Sequence, residues 1–477
     1  MEITTDRFRD NVSETLADRA YVTAIRKGTA LFREGRRRCF EGYPEAEAER
    51  EMARRIKEEA VARLDEHLET LEASVTGRGG TVHWARDAQE ANEIVLELAK
   101  RRGAKLIVKS KSMVTEEIGV NDHLARGGLE VVETDFGEYI IQLAHETPSQ
   151  LTTPALHKSK EEVARLLAEK LGIPVYDSVD EMVREVRGRL REVFLRADMG
   201  ITGVNFAVAE TGTLVQVTNE GNGRMVNTLP PVLVAIMGIE KVIPRLTDLP
   251  VFLRLLPRSN AGQWITVYVN FISPDPSPSR WTRPREFHLV ILDNGRSRIL
   301  SDPEMREALY CIRCSACQNH CPIFQSIGGK PYGWIYGGPI GSMLAPLFLG
   351  VDRAHDLAFA STLCGACRDV CSVKIDIPRI LLKLRSQWSE GQGTGRSPWT
   401  ERVVFGVWRA VFSRLAAYRL VSKAFTPFLR ASWGRWIISK LPVGSAWAKS
   451  RELPVPAEQS FKDRWRAIQA RLVRGER

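Results

Sequence analysis

The sequence predicts an α/β domain with a largely parallel sheet, followed by an α-helical cysteine-rich domain and a helical, basic tail. Three observations carry this reading. Strand-like and helix-like hydrophobic periods alternate between residues 76 and 300, seven of the eight cysteines fall between Cys311 and Cys371, and positive charge is concentrated after residue 396. With 477 residues, 44% of them hydrophobic and 26% charged, the chain has enough apolar material for several packed cores and is unlike a disordered or collagenous polymer.

Residues 1–75 form a helical segment. From Met52 the apolar positions Ile56, Ala60, Leu64, Leu68 and Leu71 recur at three- and four-residue steps, which predicts one long amphipathic helix. Arg36-Arg37-Arg38 reads as a solvated surface turn, with an anion patch as the alternative. Gly79-Gly80 ends this region. The α/β domain, residues 76–300, then opens with a strand Thr81–Trp84, a helix Gln89–Arg102, a strand Lys105–Lys109, a helix Glu116–Arg126 and a strand Leu129–Glu133. Helices follow at Ser159–Leu171 and Val179–Ala197, strands at Asn205–Ala209 and Thr213–Val217, a helix near Val232–Met237, and strands at Trp264–Phe271 and Phe287–Leu292. The proline-rich stretch Ser273–Pro278 is too rigid for a core element.

No nucleotide fingerprint accompanies these βαβ units. Gly77-Arg78-Gly79 has Val82, and Gly221-Asn222-Gly223 has Val226, where a dinucleotide loop needs its third glycine; Gly329-Lys330 is preceded by Phe324 and followed by Pro331 at the other phosphate-loop positions. The clusters Glu210-Thr211-Gly212-Thr213 and Asn219-Glu220-Gly221-Asn222-Gly223 have two readings, the lining of a cleft or two tight glycine turns.

The strongest chemical signal is Cys311-x2-Cys314-x2-Cys317-x3-Cys321-Pro322, followed by Cys364-x2-Cys367-x3-Cys371. The first spacing is the bacterial ferredoxin run, whose fourth cysteine ligates the neighbouring cluster in two-cluster proteins. Three closely spaced thiolates wrap one cubane, and the cysteine beside proline leaves toward the next. This crossing assigns Cys311, Cys314, Cys317 and Cys371 to a first [4Fe-4S] cluster, and Cys321, Cys364 and Cys367 to a second. The second is one thiolate short, since Ser361 occupies the expected position and Ser372 replaces the proline expected after the last cysteine. A zinc site would favour paired Cys-x2-Cys knuckles and fits these spacings poorly. Residues 328–341 combine glycines with Tyr332, Trp334 and Tyr336, a composition suited to N–H groups approaching sulfur while rings exclude water; an ordinary surface loop is the alternative. His320 abuts Cys321 as a candidate tuning group or a plain histidine, and Cys39 stands apart as an incidental or distant thiol. The ferredoxin-like domain spans 301–385.

A Gly- and Gln-containing linker, 386–396, leads to the basic region 397–477, which holds 16 Lys/Arg against 5 Asp/Glu and six of the eleven tryptophans. Val404, Trp408, Val411, Phe412 and Leu415 share one helical face there. Such a face docks a partner subunit, lies on a membrane surface or packs back on its own domain; a nucleic-acid role is not expected, because no binding motif accompanies the basic residues. No stretch approaches eighteen uncharged apolar residues, and the N-terminus lacks the basic-then-apolar order of a signal peptide. The expected location is therefore cytoplasmic, with the tail a candidate contact to the inner membrane face.

In their order along the chain, the segments 109–118 and 209–214, the two cysteine runs, Tyr332-Gly333-Trp334 and Pro454–Phe461 resemble the lactate utilization protein B family, iron–sulfur subunits of bacterial lactate utilisation systems. The resemblance covers nearly the full length. It implies an N-terminal lactate-utilisation domain related to the sugar-phosphate isomerase and CoA-transferase α/β fold, a ferredoxin-like domain with two [4Fe-4S] clusters, and oxidation of L-lactate to pyruvate together with two partner subunits, allowing growth on lactate. Ser361 fits the family's three-cysteine second run, whereas Ser372 departs from its pattern. Lactate oxidation removes two electrons and a cluster passes one, so the chain reads as an electron conduit and not as the catalytic subunit. The alternative is an α/β enzyme acting on a small carboxylate or CoA ester, with the clusters as an attached relay.

Overall fold

In the computed structural model, which describes residues 3–275, 286–390, 399–440, 451–452 and 454–474, the chain divides into two compact units, residues 1–395 and 396–477. Part of the proline-rich stretch 273–278 and most of the linker 386–396 lie outside the described residues.

The first unit is built on two sheets. Six strands, β1 (Thr81–Ala85), β2 (Leu106–Lys109), β3 (Glu130–Glu133), β4 (Met199–Gly203), β7 (Val232–Gly238) and β10 (Glu286–Leu292), form a wholly parallel sheet in the order β1-β10-β7-β4-β2-β3. A second sheet, ordered β8-β5-β6-β9, contains β5 (Phe206–Val208), β6 (Thr213–Thr218), β8 (Val242–Ile243) and β9 (Tyr268–Ile272). Helices cover both faces of the parallel sheet. Val95, Leu98, Val120 and Leu124 pack on one side of it, and Leu68, Leu71 and Val75 on the other.

This coverage corrects one expectation. Residues 232–237 form the central strand β7 and not a helix, and every residue of β7 is buried. A strand flanked on both edges and covered on both faces has no solvent side, so its uninterrupted apolar run carries no alternation to distinguish it from a buried helix. Two other elements are shorter than expected. The region after Met52 is two helices, Ala46–Ala62 and Leu64–Thr76, broken at Arg63, and the predicted helix 116–126 splits into Met113–Glu117 and Val120–Arg126. The second break is at Gly119, whose φ of +64° lies where glycine is favoured. Strand β9 begins at Tyr268 and not at Trp264. The helix Lys160–Leu171 starts as its sequence suggests, with Ser159 and Glu162 in a reciprocal capping box.

The N-terminal helices lie against the cysteine-rich region. Arg36, Arg37 and Arg38 belong to the helix Arg19–Glu41, which corrects their reading as a surface turn: Arg37 pairs with Glu34 and Glu41, while Arg36 reaches the Val370 carbonyl at 3.3 Å. The same helix meets the segment following Leu249–Asn260 backbone to backbone, where a Cβ on Gly262 would lie 2.0 Å from the Gly35 carbonyl carbon.

In the second unit, helices Trp399–Phe412, Leu415–Arg430, Ser432–Lys440 and Phe461–Val473 keep many large apolar side chains exposed, including Trp399, Phe405, Trp408 and Phe412. The apolar face ends at Phe412, because Leu415 opens the next helix. Among the described residues, no helix is long and apolar enough to cross a membrane.

Gly262 combines a φ of +69° with that backbone contact. Gly262→Ala is expected to destabilise the first unit by about 2–4 kcal/mol, combining left-handed strain with overpacking. Anaerobic urea denaturation followed by far-ultraviolet circular dichroism would register it as a lower midpoint.

Candidate metal centre

The C-terminal ends of the parallel strands converge on the cysteine-rich segment through a buried charge network. Arg296, just beyond β10, is fully buried and donates to both oxygens of Glu117 at 2.9 Å and to Glu240 Oε2 at 2.5 Å. Glu240 follows β7, and its other oxygen pairs with Arg313 at 3.3 Å. Arg313 is one of the two residues between Cys311 and Cys314, and its guanidinium lies 5.0 Å from the Tyr336 ring centre. Tyr336 completes the network by donating its hydroxyl to Glu117 at 2.8 Å. Burial alone would raise the pKa of Glu240, but Arg296, Arg313 and Lys241 outweigh it and hold the carboxyl near 2. Lys57 lies under the same turn, donating to the Glu240 and Val242 carbonyls.

The structure brings Cys311, Cys314, Cys317 and Cys371 together around one small cavity, whose remaining wall includes Leu151, Ile340, Val373, Ile375 and Ile377. Cys321, Cys364 and Cys367 form a second group, recognisable from the mutual electrostatic influence of their thiols. Cys321 and Cys367 are buried and Cys364 is exposed. The two groups adjoin, since Cys317 also feels Cys367.

The local backbone turns the sulfurs inward. Arg313, Ser315 and Leu363 have φ of 61°, 55° and 56°, left-handed conformations costing about 1–2 kcal/mol each for residues with a Cβ. Hydrogen-bond donors reach the sulfurs from the same loops: the Arg313 N–H lies 3.4 Å from Cys311 Sγ, the Ile375 N–H 3.3 Å from Cys371 Sγ, and the Ser372 hydroxyl 3.3 Å from Cys314 Sγ. Arg50 fixes the far loop by donating to the Cys371 carbonyl through Nε at 3.0 Å and Nη2 at 2.8 Å.

The donor set suits a highly charged metal–sulfur centre. Burial first, and then the neighbouring cysteines, push Cys371 and Cys367 up to about 12 and Cys317 well above the ordinary thiol range. Thiols so placed give up their protons only to a centre that supplies compensating positive charge. Among the described residues, no three His, Cys, Asp or Glu side chains converge tightly enough to hold a single ion. A cubane is met differently, at separated corners, and four sulfurs around one void are arranged for that.

The other candidates separate. Residues 328–341 contribute rings: Tyr332 and Tyr336 are fully buried, and Trp334 meets Tyr336 edge-on at 5.1 Å. The donors to cysteine Sγ described above come from the cysteine loops themselves. His320 donates its Nδ1–H to the Ala316 carbonyl at 2.9 Å, and burial lowers its pKa to about 4. The Cys39 thiol lies 3.0 Å from the Gly262 carbonyl and is absorbed by helix packing. Ser361 accepts the Leu363 N–H at 3.1 Å. Glu210–Thr213 make the β5–β6 turn, with Gly212 against Ser74, whereas Asn219, Glu220, Asn222 and Gly223 line a cleft.

An α/β domain joined through buried ion pairs to a compact helical cysteine domain defines a class of iron–sulfur protein. The sequence matches the family profiles of the LUD domain over residues 68–292, the 4Fe-4S dicluster domain over 307–375, and the C-terminal region of lactate utilisation protein B over 385–469. It is 40% identical to lactate utilization protein B of Bacillus subtilis (strain 168), covering 97% of this chain and 96% of that protein, and 41% identical to lactate utilization protein B of Bacillus pumilus (strain SAFR-032), covering 97% and 98%. The chain belongs to the lactate utilization protein B family.

Near the β3 edge of the parallel sheet, Glu138 is buried with Lys111 3.7 Å away. Burial raises its pKa from 4.5 to about 8, against the attraction of Lys111. A carboxyl held above its unfolded value contributes stability in full below the unfolded pKa and loses it as pH rises through the folded one. Glu138→Gln cannot ionise. It should match the parent near pH 5 and exceed it by about 1–3 kcal/mol near pH 8, read from urea midpoints across that range.

Proposed function

We propose that this chain is the electron-transfer subunit of a complex that oxidises L-lactate to pyruvate, carrying two [4Fe-4S] clusters. Cys311, Cys314, Cys317 and Cys371 hold the inner cluster, and Cys321, Cys364 and Cys367 the outer one. The observation that carries this reading is the partition of seven cysteines into a group of four, with Cys314, Cys317 and Cys371 buried and Cys311 half-buried, and an adjoining group of three that reaches the surface at Cys364. When bound, each cluster passes one electron at a time. The chain's own residues position the groups, exclude water with Tyr332, Trp334 and Tyr336, and donate hydrogen bonds to sulfur from Arg313, Ser372 and Ile375.

No fourth thiolate serves the outer group, and the Ser361 oxygen is engaged with its own turn. The fourth corner is left to the Ser361 oxygen, another side chain, water or a group from a partner. Two partner subunits complete the system, one of them removing the two electrons from the carbon–hydrogen and hydroxyl bonds of lactate. The exposed apolar and basic helices of 397–477 suit docking to a partner, with a membrane surface as second use. The protein works in the cytoplasm on this reading.

Anaerobically purified protein should contain about eight irons with matching acid-labile sulfide. Deletion of the gene from a host lacking another lactate dehydrogenase should abolish growth on L-lactate and spare growth on pyruvate. Zinc without sulfide, or undiminished lactate growth, rejects the proposal. The Ser372 hydroxyl gives a finer test. Donation to Cys314 Sγ stabilises the electron-rich reduced state, so Ser372→Ala should shift the inner cluster to a more negative potential with iron content unchanged, as read by redox titration under electron paramagnetic resonance.

A further inference from the structure

A cleft of about 500 Å³ opens where four parallel strands end. Its wall includes Ser110–Val114 after β2, Asp135–Gly137 after β3, Gly203–Asn205 after β4, and Lys241 just beyond β7, with the second sheet opposite. The carboxyl ends of parallel strands are where open α/β sheets bind ligands, and this volume is ordinary for a small-molecule site. Arg313 lines both this cleft and the cavity of the inner cysteine group.

Two cations in this wall lack a hydrogen bond from the fold: Lys111 still faces the Glu138 carboxyl at 3.7 Å, whereas Lys241 has no carboxylate that near among the described residues. Lys241 is 7% exposed, yet its ammonium makes no hydrogen bond or ion pair with any described residue. Its buried basic neighbours are all satisfied: Lys57 by two carbonyls, Arg296 by two carboxylates, and Arg313 by Glu240 and the Cys311 carbonyl. Glu240 attracts Lys241 without hydrogen-bonding it, and a cation that faces a cleft gains a direct partner from an anion entering it.

The rest of the lining narrows the class. Asp135 and Glu220 stand in the same cleft and disfavour ligands bearing several negative charges. The remaining polar wall is amide and hydroxyl, with Asn205, Asn219, Asn260 and Gln263 among them, suited to a hydroxyl or keto oxygen. We propose that this cleft binds a small organic monocarboxylate whose carboxylate is taken by the Lys241 ammonium, beside the inner cysteine group. The proposal goes beyond the conduit reading and stands or falls separately from it, because binding requires no electron transfer.

The test is isothermal titration calorimetry on the anaerobically purified, iron-loaded full chain, with L-lactate, pyruvate, acetate and inorganic phosphate as probes at constant ionic strength. At least one of the three carboxylates should bind saturably at one per chain. Lys241→Met should weaken that binding about tenfold or more, the scale of one lost charge-assisted hydrogen bond, while Lys241→Arg retains most of it. Asn219→Asp, which adds a negative charge at the rim, should also weaken it. Absence of saturable carboxylate binding, binding of phosphate alone, or parental affinity in Lys241→Met overturns the proposal. If Lys241→Met loses its iron and does not fold, Asn219→Asp decides the matter, and unchanged affinity there overturns it as well.

Discussion

The junction between the α/β domain and the cysteine-rich segment depends on a carboxylate, Glu240, held between two buried guanidinium groups. Arg296 opens the helix just beyond β10 and Arg313 belongs to the first cysteine loop, so Glu240 holds the two parts of the unit in register. Removing one partner from such a network leaves an uncompensated charge in the interior, at a cost of about 3–5 kcal/mol. The arrangement is directional as well as strong. Planar guanidinium groups with fixed donors allow few orientations of the loop, and the loop's orientation decides where Cys311 and Cys314 point.

The N-terminal helices add a second constraint from the opposite side. Arg36 and Arg50 bind carbonyls of the loop around Cys371, and Arg54 reaches the Lys374 carbonyl. Apolar side chains then seal the space between these polar clamps, with Phe324, Tyr332 and Ile340 all buried in the core that contains the cysteines. The inner cysteine group is thus fixed by three separate stretches of chain, whereas the outer group ends at an exposed residue.

Much of this was legible in the sequence, for identifiable reasons. The cysteine spacings are short-range, and loops that short leave few ways to face their sulfurs; the structure gathers Cys311, Cys314, Cys317 and Cys371 around one void. Alternating βαβ periods disclosed the parallel sheet because helices and strands differ in hydrophobic repeat. Strand β7 escaped because burial on both faces erases its repeat. Lys241, Glu240 and Arg296 were invisible for another reason: charged residues in a sequence read as surface, and only the tertiary fold reveals that these pair or wait inside. Ser372 illustrates the limit of pattern comparison, since a position read as a lost proline places a hydroxyl at Cys314 Sγ.

The inner group also has a history in time. Cys311, Cys314 and Cys317 leave the ribosome almost together, but the fourth thiol, Cys371, follows only after the aromatic segment and the helices Gly338–Leu349 and Val351–Phe359. Its clamps, Arg36 and Arg50, are by then long since synthesised. A partly made chain therefore carries three of these thiols with the fourth still to come, and the group of four can close only once most of the chain has been made.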